Sequence, residues 1–384
     1  MRQAVFLCAA RRSRFTALAV ISSEIIGLKL VGAQGKINPP RCFLEPALSG
    51  VYHPAKHPSI RRTTIVQIRL ALLLVISLFV TPCEARKVLV GVPVLDVTQS
   101  ALYVAKERGY FQKEGLEVEL ILMRGGVANQ ALIGANVEFT TVPTAALQAG
   151  LQGAPVKVVF SSFHKPMFWL FSKQAIRNVK ELTGKKVAVS SLGAAGDSAL
   201  RELFKKNGMD ENHDVVVLAI GTTATRLGAL ASGVVDAAMM TFPHNITAAE
   251  QGFRELTSFI ASDIIQLQGA IVTRDGLLQS DSLLVEKFLR ATMRGLIYYS
   301  TNRRVAVPIL ARNAKSSDEL AGRIYDLVKP ALTPDGILND DLQKRVMAPL
   351  LERVGRKDAA VGKFFDFALA RKIQAELKAE GWKP

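Results

Sequence analysis

Cysteine is confined to one end of this 384-residue chain: Cys8, Cys42 and Cys83 all precede residue 86. The remainder has no thiol, which excludes disulfides, thiolate metal ligands and a cysteine nucleophile from residues 86–384. Histidine is scarce as well. The three histidines beyond the leader, His164, His213 and His244, are widely separated and lack acid companions at metal-ligand spacing. No Walker-type glycine loop, His-Glu-x-x-His or Gly-x-Ser-x-Gly pattern occurs, so catalytic and metal-site templates gain no support. Runs of clustered Lys and Arg are missing too. The first 85 residues hold eleven Lys and Arg against three Asp and Glu, so the formal charge falls from +16 for the whole chain to +8 beyond them. That mild, scattered excess lacks the footprint of a nucleic-acid binder and suits steering of a small anion.

What is present begins with a leader. Arg61, Arg62 and Arg69 precede an uncharged apolar run, Leu70 to Val80, followed by small residues. This is the layout of a secretory signal peptide over 65–85, with cleavage near Ala85 and a periplasmic destination. A membrane anchor is the alternative, although a span needs about 20 apolar residues and Arg69 interrupts this one. Cys83 as a lipid-modified residue is a third reading. Residues 1–64 hold five prolines from Pro39 to Pro58 and no sustained period, as expected of a disordered or mis-assigned extension.

From Lys87 onward, short apolar runs alternate with helical patterns at βαβ spacing, which predicts parallel sheets covered on both faces. Strands are expected near Val88–Val92, Leu116–Met123, Val137–Val142 and Val156–Ser161, then near Val187–Ser190, Val215–Ile220 and Val235–Met240. Beyond Gly269 the chain reads as mostly helical, with helices over 283–299, 318–328, 340–354 and 359–377. Arg303, Arg304 and Arg312 read as a solvated face. The expected division is 86–173 and 264–384 as lobe one, with 174–263 inserted as lobe two.

Three stretches carry a family likeness. Ala105 to Leu116 reads Ala-Lys-x-x-Gly-Tyr-Phe-x-x-Glu-Gly-Leu, Val179 to Val189 reads VKELTGKKVAV, and Gly233 to Ala237 reads GVVDA. Together they resemble the substrate-binding proteins of ABC importers, and within these the nitrate, sulfonate and taurine branch. The resemblance spans roughly residues 87–299. It implies an α/β, two-lobe periplasmic binding protein fold of type II, with a hinge and an interlobe ligand cleft. It further implies capture of a small anionic solute, delivery to ABC permease subunits, a monomer, no cofactor and no catalysis. A cysteine-rich motif carried by the fungal pyrimidine synthases of the same fold family is absent.

In such lobes the ligand sits outside the carboxyl ends of the strands, so the loops there supply the candidate contacts. In lobe one these are Thr98 and Gln99, Arg124 and Gly125, Thr144, and the group Ser161, Ser162 and His164. In lobe two they are Ser190, Ser191, Gly193 and Ala194 at a helix start that offers free N–H groups to an anion. Thr222 and Thr223, with Arg226 nearby, follow the next strand, and Thr241 and His244 follow the last. For Thr98 and for the Ser190 to Asp197 loop, plain helix capping is the competing reading. Two other functions stay open: an enzyme on the same fold acting on a small heterocyclic or carboxylate metabolite, with Asp96 or His164 as acid or base, and a periplasmic ligand sensor.

Overall fold

The punctuation of Ala101 to Leu120 folds as its residues dictate. In the computed structural model, which describes residues 85–123 and 125–384, strand β1 (Arg86–Val92) leads through a 3-10 turn (Val97–Gln99) into helix α1 (Ser100–Glu107). Gly109 then takes a left-handed φ of 69°, which a side chain would resist, and turns the chain into the short helix α2 (Tyr110–Lys113). Strand β2 (Leu116–Leu122) follows and pairs in parallel with β1, from Arg86 opposite Leu116 to Val92 opposite Leu122. Leu116 and Val118 face inward while Glu117 and Glu119 face outward. The signal peptide, the extension over 1–64 and Cys83 lie outside the described residues. No described helix is long and apolar enough to cross a membrane.

Helix α3 (Gly125–Ile133), strand β3 (Phe139–Thr140), helix α4 (Pro143–Leu151) and strand β4 (Val156–Phe163) continue the first lobe. The second lobe holds β5 (Trp169–Ser172), β6 (Lys186–Val189), α5 (Ala195–Lys206), β7 (Val216–Ala219), α6 (Thr223–Ala231), β8 (Ala237–Met240), α7 (His244–Glu250) and β9 (Arg254–Ser258). Strand β10 (Gln268–Arg274) returns to lobe one. There α8 (Asp275–Ser280), α9 (Ser282–Thr301), α10 (Arg303–Ala314), α11 (Asp318–Val328), α12 (Asp340–Arg353) and α13 (Ala368–Ala379) complete the chain.

Each lobe is built on a five-stranded sheet, β2-β1-β3-β10-β4 in lobe one and β7-β6-β8-β5-β9 in lobe two. The sheets follow one plan. Three parallel strands come first, then an antiparallel strand, then an outer strand. The antiparallel strands, β10 and β5, are those that follow a crossing between lobes. A chain leaving β4 or β9 at its carboxyl end enters the other sheet at that sheet's own carboxyl edge, and must therefore run backwards through it. This corrects the expectation of all-parallel sheets. It also moves the first crossing: β5 already belongs to the second sheet, so the chain changes lobe before Trp169 rather than at Lys173, while the return falls between Ser258 and Gln268.

A further correction concerns the carboxyl-terminal region. The helix expected over 359–377 begins only at Ala368. Ahead of it, a 3-10 turn (Val361–Lys363) leads into a short stretch along the free edge of β4, where the Val158 N–H donates to Phe364 O and the Asp366 N–H to Val158 O, both at 2.9 Å. Higher up the same edge, the Ser161 N–H donates to Gly336 O and the Thr333 N–H to Ser162 O. An otherwise open strand edge is thereby closed against foreign strands. The buried ring of Phe364, Phe365 and Phe367 holds this segment in place of the helix that its apolar spacing suggested.

Apolar burial stabilises both lobes. Val88, Val90 and Val92 of β1 are wholly buried, each contributing on the order of 1.5–3 kcal/mol. Phe288 of α9 stacks on Phe139 at 4.0 Å between centroids and on Phe111 at 5.3 Å. In lobe two, alternate residues of the strands face different sides, with Leu170, Val187, Val189 and Met239 in one cluster and Phe171, Ala188, Ala238 and Met240 in the other. The arginines read as a solvated face are partly engaged, Arg303 with Asp326 at 2.8 Å and Arg312 with Glu107. Arg290 and Arg294 of α9 are more enclosed and bind Glu286, Glu376 and Glu114.

Helix α9 lies so close to α1 that a Cβ on Gly295 would stand 2.1 Å from the carbonyl oxygen of Ala101. Gly295→Ala is therefore expected to lower stability by about 1–3 kcal/mol through overpacking. Gly228→Ala, on an open face of α6 where nothing lies within 4 Å of the new Cβ, is expected to be neutral or stabilising by about 0.5–1 kcal/mol. Denaturant melts of the two variants check the contrast, and equal midpoints would refute it.

Candidate functional site

The carboxyl ends of β6, β7 and β8 bring the lobe-two candidates together. Ser190 follows β6, and its carbonyl accepts from the Gly221 N–H at 3.1 Å, which joins the first loop to the second. Thr222 caps α6, its hydroxyl accepting from the Thr225 N–H at 3.2 Å. Thr223 meets Thr241 hydroxyl to hydroxyl at 2.8 Å, which joins the second loop to the third. One turn into α6, Arg226 lies beneath these hydroxyls. Its Nε–H donates to Met239 O at 2.6 Å, Nη2 to Thr223 Oγ1 at 2.9 Å, and Nη1 to Gly221 O. Burial lowers its guanidinium pKa to about 10. His244 opens α7 with Nδ1 buried and without a hydrogen-bond partner. Burial first, and the Arg226 charge second, push its imidazole below the usual range, so it is neutral at pH 7.

The neighbouring helix start is differently occupied. Ser190 and Ser191 are exposed, Gly193 adopts a φ of 77°, and Ala194 is the N-cap residue of α5 without a side-chain cap. Asp197, only 2 % exposed, accepts the Gly193 N–H at 2.8 Å and pairs with Arg201 at 2.9 Å. A carboxylate of the protein itself thus already sits in the first turn, where the sequence suggested an external anion. Capping is the role this geometry supports for the loop.

Lobe one departs further from expectation. Asp96 caps the turn after β1, accepting the Thr98 N–H at 2.9 Å and its hydroxyl at 2.6 Å. The Gln99 amide donates to Thr98 Oγ1 at 2.9 Å, and both Thr98 and Gln99 are buried. Asp96 is therefore the cap, and the Thr98 hydroxyl is spent as a donor to it. Burial raises the Asp96 carboxyl above its ordinary range, against the two bonds from Thr98. Arg124 lies outside the described residues, and Gly125 begins α3.

Ser161 and Ser162 are not loop residues. Strand β4 runs on to Phe163, both serines are buried within it, and the Ser161 hydroxyl donates to Phe163 O at 3.1 Å. His164 follows them and turns toward the carboxyl-terminal segment, where it lines a depression of about 600 Å³ with Thr333, Asp335, Leu338 and Arg371. None of the residues lining that depression comes from lobe two. The cause is the covered edge of β4, which the sequence did not disclose.

Thr144 does reach the seam between lobes. With Leu147 it lines a cavity shared with Ser198 and Glu202 of α5, Gln266 of the return crossing and Arg353 of α12. At about 20 Å³ this cavity has room for a water molecule and is too small for an organic solute. The Gln266 side chain donates to Ala195 O and Arg353 to Ser198 Oγ, both at 2.9 Å, so this seam joins the two lobes at the start of α5. In lobe one, Gln99 Oε1 and Thr141 Oγ1 are buried without a partner, and Thr141 was not among the residues singled out from the sequence.

Two similar α/β sheets with doubled crossings at their carboxyl edges define the two-lobe fold of the periplasmic binding proteins. The family model described as NMT1/THI5 like matches residues 97–304, and the chain belongs to that family. The riboflavin-binding protein RibY of Chloroflexus aurantiacus is 31% identical over 207 residues, 50% of this chain and 56% of that protein, so the match spans little more than half of that relative's length. Among solved structures, the periplasmic aliphatic sulphonate binding protein SsuA of Escherichia coli superposes with a TM-score of 0.59 at 16% identity, over 72% of this chain and 91% of that one. The periplasmic nitrate-binding protein NrtA of Synechocystis PCC 6803 gives 0.62 at 15% identity, over 77% and 90%.

The three described histidines should separate on titration. The exposed His213 bonds Asp210 at 2.8 Å, and that hydrogen bond and charge raise its pKa. His164 and His244 are lowered by burial and by the neighbouring charges of Lys165 and Arg226. Imidazole NMR titration should place His213 above its ordinary value of 6.5 and the other two below it. A His244 that titrates above that value would contradict the geometry.

Proposed function

We propose that this protein is the solute-binding component of an ABC importer, exported to the periplasm, where it captures a small organic anion between its lobes and delivers it to permease subunits. The observation that carries this reading is the hydroxyl-lined edge of lobe two, where Thr223, Thr241 and His244 gather over a buried cation. Membership of the NMT1/THI5-like family and the likeness to sulphonate- and nitrate-binding folds support it. Capture is a population shift: a solute favours the closed pair of lobes only insofar as it contacts both. The chemistry asked of the site is recognition, with no bond made or broken. The RibY match adds flavin-like heterocycles to the solutes worth testing.

A thermal-shift screen of the purified protein against sulfonates, carboxylates, nitrate, pyrimidines and riboflavin tests the proposal. A solute at a hundredfold its Kd adds about 2.7 kcal/mol to stability and raises Tm accordingly. The expected result is a marked shift with one class and recovery of that solute unchanged. A solute consumed on incubation would replace the receptor reading with an enzyme, and a flat response across the panel would remove it.

A further inference from the structure

We propose that Arg226 is the anion-recognition residue of the cleft, and that it reads an oxyanion, carboxylate or sulfonate, on the solute through its own fork and through the Thr223–Thr241 hydroxyl pair. The inference deepens the solute-receptor reading and rests on it. Its first ground is a missing counter-charge. Arg226 is 4% exposed, yet it forms no ion pair among the described residues. Among the half-buried arginines, Arg201 is held by Asp197, Arg290 by Glu286 and Glu376, and Arg294 by Glu114, whereas Arg254 and Arg274 bond the neutral acceptors of Gln174 and Val137; Arg226 is more deeply buried than any of these. A guanidinium withdrawn from water without a carboxylate is costly, and such a charge persists where something outside the fold compensates it.

The second ground is the direction of the hydrogen bonds. Arginine has five N–H donors, and Arg226 directs three of them to Met239 O, Gly221 O and Thr223 Oγ1, which leaves two. Because Thr223 Oγ1 accepts from Arg226, its own proton is free to go to Thr241 Oγ1, 2.8 Å away. The Thr241 hydroxyl then has its proton left to give outward from the end of the strand. The chain of bonds thus starts at a fixed positive charge and ends in a donor, and each bond polarises the next. An acceptor completes it, and a negatively charged one also completes Arg226. The unpartnered Nδ1 of His244 lies within the reach of the Arg226 charge and adds a neutral group to the same wall.

The test uses the wild-type protein, Arg226→Gln, Arg226→Lys and Thr241→Val. Each is titrated with sodium methanesulfonate and sodium benzoate against sodium chloride at equal ionic strength, and with riboflavin as an uncharged probe. Wild type should be stabilised by at least one of the two organic anions beyond chloride. Arg226→Gln should weaken that binding about a hundredfold, as removal of one member of a desolvated charge pair does. Arg226→Lys should recover only part of it, since an ammonium lacks the fork. Thr241→Val, at a half-buried position, should weaken it about tenfold and serves if Arg226→Gln does not fold. Equal anion binding by wild type and Thr241→Val or Arg226→Gln would overturn the proposal and leave Arg226 as a fastener of loop carbonyls. Riboflavin binding that is indifferent to all three substitutions, with no organic anion bound, would also overturn it while leaving the receptor reading intact. If none of the probes shifts wild type, both fall.

Discussion

The architecture depends on where the chain passes between lobes. Both passages leave a sheet from its carboxyl edge, after β4 and after β9, and enter the other sheet at the same kind of edge. From that constraint follow the antiparallel runs of β5 and β10, the facing of the two sets of loops, and a junction made of two neighbouring connections. The loops that end β6, β7 and β8 are then gathered by hydrogen bonds between Ser190 and Gly221 and between Thr223 and Thr241. Hydroxyl groups thus collect at the carboxyl edge of the lobe-two sheet, the edge from which the chain passes to the opposite lobe.

Much of this arrangement is legible in the residues. Gly109 and Gly115 mark the end of α1–α2 and the start of β2 because a left-handed φ is cheapest for glycine, and the helix over Asp318–Val328 begins at a serine cap and carries a clear apolar stripe. What escapes is whatever depends on partners distant in sequence. Trp169–Ser172 and Gln268–Arg274 are short apolar runs whose direction and lobe are set by β8, β9, β3 and β4 rather than by their own composition. Ser161 and Ser162 look like loop hydroxyls, yet the segment over 332–336 pairs with them and prolongs the strand.

The candidate site shows the same division between local and remote information. Thr222 at a helix start is visible as a cap, and Thr223, Thr241 and His244 follow apolar runs and can be placed at strand ends. The burial of Arg226 cannot be read from its position in an otherwise ordinary amphipathic helix, because it depends on carbonyls of Gly221 and Met239 that only the folded lobe brings near. The reverse holds for Asp197. As a residue it promises a cap, and its nearly complete burial with Arg201 makes the start of α5 self-sufficient.

The covered edge of β4 has a consequence for how the protein is made. Every strand of the lobe-two sheet lies between Trp169 and Ser258, so its pairings close within a short, continuous piece of chain. Lobe one instead needs β1 from near residue 86, β10 from beyond residue 268, and a strip ending near Asp366 to seal β4. Contacts of such long range form slowly, since the intervening chain must be restrained before they stabilise anything. A chain emerging from its amino terminus therefore has its second lobe complete while its first still waits for the final fifty or so residues. Until those arrive, the uncovered edge of β4 keeps lobe one unfinished.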